Sequence, residues 1–129
     1  MPSLLPANRT FEVLILRYFP EAGVDYSIVV GIVINELTTG GHMAARFERD
    51  WSRIRLVSST ADIPLLQAFA VEVCEKLATH DSGKMLLHRI KDSFSNAIQV
   101  SSVVRRARVD LDTELDRLAS LYLGTYGSG

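Results

Sequence analysis

Two groupings in this chain combine residue types that could do chemistry. The first is Arg17 with Tyr18, followed farther along by Arg49, Asp50, Trp51 and Arg53 in the run RDWSR. Arginine forks grip a phosphate or carboxylate through paired N–H bonds, and an indole offers a flat apolar face to a base. Asp50 is then the candidate proton acceptor, a role that requires a perturbed carboxylate in a cleft. The other reading is structural: Asp50 pairs with an arginine while Trp51 plugs the end of the core. The second grouping is Ser93, Ser95, Asn96, Gln99, Ser101 and Ser102, ahead of Arg105, Arg106 and Arg108. Such donors beside cations suit a phosphate backbone or an acidic partner. They equally suit a polar loop whose arginines make ordinary salt bridges. No aromatic residue interleaves with the arginines, so the base stacking typical of single-strand binding has no platform.

Other chemistries lack their residues. Cys74 is the only cysteine, which excludes an internal disulfide and favours a cytoplasmic setting. It falls one residue from an apolar helical stripe and is expected to be a buried structural thiol. His42, His80 and His88 form no HExxH or close His/Cys cluster, so no metal is expected. There is no phosphate-binding glycine loop, no dinucleotide fingerprint and no nucleophile elbow, so no cofactor is expected either. Gly40-Gly41 reads as a hairpin turn. A formal charge of −1 gives no global pull on nucleic acid or an anionic membrane. The apolar run Ile28–Ile34 falls well short of the roughly 20 residues of a membrane helix. Residues 1–10 lack the basic start and apolar stretch of a signal peptide.

The elements that must position these groups follow from periodicity. The run Phe11–Phe19 is rich in β-branched and aromatic residues and alternates poorly, which predicts a strand covered on both faces, ended by Pro20. Ala22-Gly23 is turn material. Ser27–Ile34 is the clearest strand, with Gly31 at its centre marking a bulge or a close approach to the backbone. Thr38–Gly41 turns the chain into a third strand, His42–Glu48. In such a meander the first and third strands run the same way, so Arg17 and RDWSR end at the same edge. Ile54, Leu56 and Val57 form a short strand or one turn of helix. Beyond Ser58 the period becomes helical. Asp62 caps a helix with Pro64 in its first turn and Ile63, Leu66, Ala70, Val73 and Leu77 on one face. Asp81-Ser82-Gly83 ends it. Leu86 or Leu87, Ile90 and Phe94 mark a shorter helix, and residues 96–102 are strand or loop. Asp110 or Asp112 caps a final helix with Leu111, Leu115, Leu118 and Tyr122 in a stripe, closed by Gly124.

Strands before helices predict an α+β fold: a small antiparallel sheet of three or four strands, begun by an N-terminal meander, with two or three helices packed on one face. Residues 11–123 form one domain, 1–10 a flexible arm and 124–129 a disordered Gly/Ser tail.

The ordered series LRYFPE, the strand around Gly31, ARFERDWSRIR, SFSNAIQVSS and LDRLASLYL resembles the bacterial domain of unknown function 3037 family over Phe11–Leu123. Arg17, Tyr18, Pro20, Gly31, Asp50, Arg53, Asn96 and Gln99 match its pattern. Val29 stands where that pattern tends to hold asparagine. The resemblance implies no assigned activity. Its members are often encoded beside a HipA-like kinase, which implies a small cytoplasmic accessory or regulatory protein, of toxin–antitoxin type, with a protein partner. The function expected is therefore a non-enzymatic interaction module that binds another protein or itself. The alternatives are a phosphate- or nucleotide-binding protein or enzyme using Arg17, Asp50 and Arg53, and nucleic-acid binding through Arg105, Arg106 and Arg108.

Overall fold

Four antiparallel strands and three helices build the fold in the computed structural model, which describes residues 9–20, 27–38, 42–77 and 98–123. The strands are β1 (Arg9–Tyr18), β2 (Ile28–Glu36), β3 (His42–Phe47) and β4 (Ile98–Ala107). Their order across the sheet is β3-β2-β1-β4. The first three form the expected meander, and the last strand returns to pair with β1 along its whole length, from Arg9↔Ala107 to Tyr18↔Ile98. The helices are α1 (Ser52–Val57), α2 (Ile63–Leu77) and α3 (Leu111–Tyr122).

β1 and β2 are apolar at successive positions because both faces of the sheet are covered. Leu14, Leu16, Tyr18, Val30 and Val33 join a core closed by Ile54 of α1 and by Ile63, Leu66, Phe69, Ala70 and Val73 of α2. Phe11, Val13, Ile15, Ile32 and Ile34 join a second core closed by Leu115, Leu118 and Ala119 of α3 and by Leu123. The expectation of helices on one face is thus met by α1 and α2 and corrected for the last helix. A central strand with no polar face leaves apolar side chains on its far side, and α3 is what hides them.

Gly31 fulfils both sequence readings at once. It faces Leu16 while Val29 faces Arg17, so Val30 has no counterpart on β1 and the strand bulges there. A Cβ on Gly31 would lie 2.6 Å from Cδ1 and Cε1 of Phe47, so the ring takes the space a side chain would need. Phe47 is held from behind by Phe69, edge to face, with centroids 6.1 Å apart.

The helix starts are capped as their sequences predict. Asp62 Oδ1 accepts from the Leu65 N–H at 3.1 Å, and Asp110 Oδ1 accepts from the Thr113 N–H at 2.8 Å. The bond from Thr113 holds the Asp110 carboxyl below its ordinary range. The segment around Ile54 is helical, with Ile54 buried and Leu56 and Val57 exposed. Three readings are corrected. β4 runs on through Arg105 and Arg106, because ten-residue β1 offers it a full-length partner. β1 begins at Arg9, inside the stretch read as an arm, where Arg9 reaches the buried Glu36 at 3.4 Å. Cys74 is exposed, since the buried stripe of α2 is filled by Phe69 and Val73 rather than by its neighbour. The shorter helix expected from Leu86 to Phe94, the turns at Ala22-Gly23 and Gly40-Gly41, and the tail lie outside the described residues.

Candidate functional site

The open flank of β3 is the most site-like surface among the described residues. β3 is an edge strand: β2 lies on one side, and no described strand lies on the other. Its hydrogen-bond phase follows from one bond. The Glu48 N–H donates to the Val30 carbonyl at 3.0 Å, and the Phe47↔Gly31 register continues through Arg46↔Ile32, Ala45↔Val33 and Ala44↔Ile34. Antiparallel pairs alternate between bonded and non-bonded residues. Arg46 and Ala44 therefore turn their backbone groups towards β2, while Met43, Ala45 and Phe47 turn theirs outward. The Ala45 carbonyl accepts an N–H from the Arg46 guanidinium at 3.2 Å, and Arg46 also reaches Asp116 at 3.3 Å.

Beside this edge runs a groove of about 610 Å³ between β3 and the outer flank of α2. Ala45, Phe47, Trp51, Ala70 and Val71 give it an apolar lining. A smaller hollow of about 250 Å³, lined by Met43, Ala44, Ala45, Cys74 and Leu77, continues it along the strand. Burial pushes the Cys74 thiol up from its ordinary pKa, against a smaller opposing effect of Arg46, so the thiol stays protonated.

Glu48 lines the groove beyond Phe47 and is 4% exposed. Its Oε2 accepts from Arg53 at 3.3 Å, while its Oε1 has no hydrogen-bond partner. A buried carboxylate oxygen without a donor is costly, by about 1–3 kcal/mol or more.

The residues singled out from sequence scatter around this end of the sheet. β1 and β3 do finish at the same edge, but Arg17 sits on the α3 face, opposite Gln99, with Ile15 two residues before it in the α3-side core. Trp51 packs against the α2-side core. The Tyr18 hydroxyl accepts from the Asp62 N–H at 3.1 Å and so braces the start of α2. Asp50 is exposed, and its Oδ1 accepts from the Ser52 N–H at 3.1 Å and from the Ser52 hydroxyl. Arg49 is also exposed. Arg53 turns to Glu48 and lines a separate hollow of about 370 Å³ with Val29, Val57, Leu121 and Tyr122. None of these three hollows is lined by Arg17 or by Asp50. Asn96 lies outside the described residues.

The basic grouping is divided in the same way. Arg105 and Arg106 are consecutive in a strand and point to opposite faces. Arg105 is tied to the buried Glu114 at 3.2 Å, and Arg117 reaches the same carboxylate at 3.0 Å. Arg108 is exposed beyond the strand. Among the described residues no three His, Cys, Asp or Glu side chains are grouped to hold a metal ion. No helix of the described residues is long and apolar enough to cross a membrane.

Of the groove residues, Trp51 had been singled out from sequence, in a different grouping. A second signal was Val71, an apolar residue of α2 that lies off the buried stripe and is exposed in the fold. A family model described as "Protein of unknown function (DUF3037)" matches residues 14–123. Neither a curated protein nor a solved structure matches the chain.

Proposed function

The chain belongs to the DUF3037 family, and on that premise we propose that it is a non-enzymatic protein-interaction module whose docking face is the groove between β3 and α2. The observation that carries this reading is the edge itself. Outward backbone groups of Met43 and Ala45 lie beside an apolar groove large enough to receive side chains. Val71 adds exposed apolar surface on the flank of α2, the kind of surface that marks a docking site when it borders a groove. The partner class that the family's genomic company suggests is a HipA-like kinase. The setting is then a bacterial cytoplasm, and the role that of a regulatory accessory to a toxin–antitoxin pair. Ligand chemistry at Arg17, Asp50 and Arg53 is less well supported, because the three side chains do not share a cavity and Arg53 is committed to Glu48.

The test is co-purification of the tagged full chain from its source cells, followed by reconstitution with the purified partner. Val71→Glu, in the groove, should abolish a complex that Val104→Glu, on the exposed surface of β4, leaves intact. A complex equally tolerant of both would move the interface elsewhere. A chain that elutes alone at its monomer mass under every condition would defeat the interaction reading.

A further inference from the structure

We infer that a second copy of this chain pairs with β4, antiparallel and about a twofold axis, so that two four-stranded sheets join into one. β4 is the sheet edge opposite β3, and no described strand lies beyond it, so this surface is separate from the groove. One bond sets its phase. The Leu37 N–H donates to the Thr10 carbonyl at 2.8 Å, so Thr10 turns its backbone groups to β2 and its neighbour Phe11 turns them to β4. The alternation continues through Val13 and Ile15, which face Val103 and Ser101. Val100, Ser102, Val104 and Arg106 therefore turn their N–H and C=O groups outward, and among the described residues no bond meets them. The usual guards of an edge are missing. The strand IQVSSVVRRA contains no proline, its pairing with β1 has no register shift, and its charges stand at one end. The helices leave it bare as well. Residues 101–106 are exposed, with Val103 at 44% on the α3 face and Val104 at 65% on the α2 face.

The strand is complementary to itself, and that selects the occupant. A twofold axis beside Val103 sets Val100 opposite the partner's Arg106 and Ser102 opposite the partner's Val104. This is the register that matches the four outward residues among themselves, each N–H and C=O meeting its counterpart. Val103 then faces its own copy in a non-bonded pair, where side chains come closest, and both valines leave water. The arginines decide the direction. In the antiparallel pair Arg105 and Arg106 stand opposite the uncharged Ser101 and Val100 of the partner, whereas a parallel pair in register would set each cation beside its own copy. The aliphatic stem of Arg106 covers the valine opposite while its head stays in water. An isologous pair also uses up the edge that makes it, so growth at β4 stops at two copies.

The experiment is sedimentation equilibrium on the full chain over a range of concentrations, which should show a reversible rise from the mass of one chain to that of two. Val103→Asp and Val103→Lys each set like charges across the axis and should weaken self-association by about tenfold or more. Mixed in equal amounts, the two variants should restore it as a mixed pair, which requires residue 103 to meet its own counterpart and which misfolded chains could not do. Amide exchange on the unmodified chain covers the case in which neither variant folds. Val100, Ser102, Val104 and Arg106 should exchange fast in dilute solution and slowly in concentrated solution. A single-chain mass at every concentration would overturn the proposal, while a partner still captured through the groove would leave the docking reading standing. A two-chain mass unchanged in both variants, or one lost in both folded variants and not restored by mixing, would overturn pairing about Val103. Exchange at those four amides that ignores concentration would overturn strand pairing itself.

Discussion

The ring of Phe47 stands where a side chain on Gly31 would have to go, 2.6 Å from the position of its Cβ. Glycine in a strand interior normally costs stability, so alanine there would ordinarily help. Here the ring packs edge to face on Phe69 and cannot move aside without giving up that contact. Gly31→Ala should therefore destabilise by about 1–3 kcal/mol, the usual result of overpacking. In a Phe47→Leu background the same change should cost much less. Urea unfolding of the four proteins measures the coupling; additive effects would show that the ring is not what forbids a side chain at Gly31.

Arg17 and Arg53 should respond differently to truncation. Arg53 supplies the donor to the buried Glu48 carboxylate, whereas Arg17 has no ion pair within the described residues. Arg53→Ala leaves a buried charge without its cation and should cost about 2–3 kcal/mol. Arg17→Ala should stay within about 0.5 kcal/mol of the parent. Thermal and urea melts compare them directly, and equal losses would mean that Arg17 has a structural bond of its own.

Glu114 should make stability depend on acid. Burial disfavours its charged form, but hydrogen bonds and charge from Arg117 and then Arg105 together outweigh that and hold its pKa below the ordinary glutamate value. A depressed pKa stabilises the fold above the unfolded-state value, and that contribution fades as pH falls through the folded-state value. Glu114→Gln should then cost about 1–3 kcal/mol near neutrality. The gap to the parent should close as pH drops below the ordinary glutamate range of about 4.3. Urea titrations across that range test the sign; a gap that widens in acid would contradict the clamp.

Much of this architecture is legible in the residues, for local reasons. The branched run through Ile28–Ile34, the punctuation at Pro20 and the caps at Asp62 and Asp110 each act over a few residues. The far-face placement of α3 was implicit in the doubly apolar β1, but the stripe of an isolated helix does not say which face of a sheet it meets. β4 was half obscured because residues 96–102 read equally as strand or loop and Arg105 and Arg106 as a basic knot beyond them; their strand geometry comes from pairing with a segment some ninety residues earlier, Glu12 with Val104 for example. The groove was least legible of all. It is made by the outer side of an edge strand and by the flank of a helix, and neither has a side-chain signature.

The central claim is that β3 turns open backbone at Met43 and Ala45 towards the groove, and amide hydrogen exchange on the dilute protein measures it residue by residue. The account predicts slow exchange at Ala44, Arg46 and Glu48, whose amides face β2, and fast exchange at Met43 and Ala45, with protection appearing at those two when the co-purified partner is added. Protection at Met43 and Ala45 in the free protein, or no change there on saturation with the partner, would contradict it.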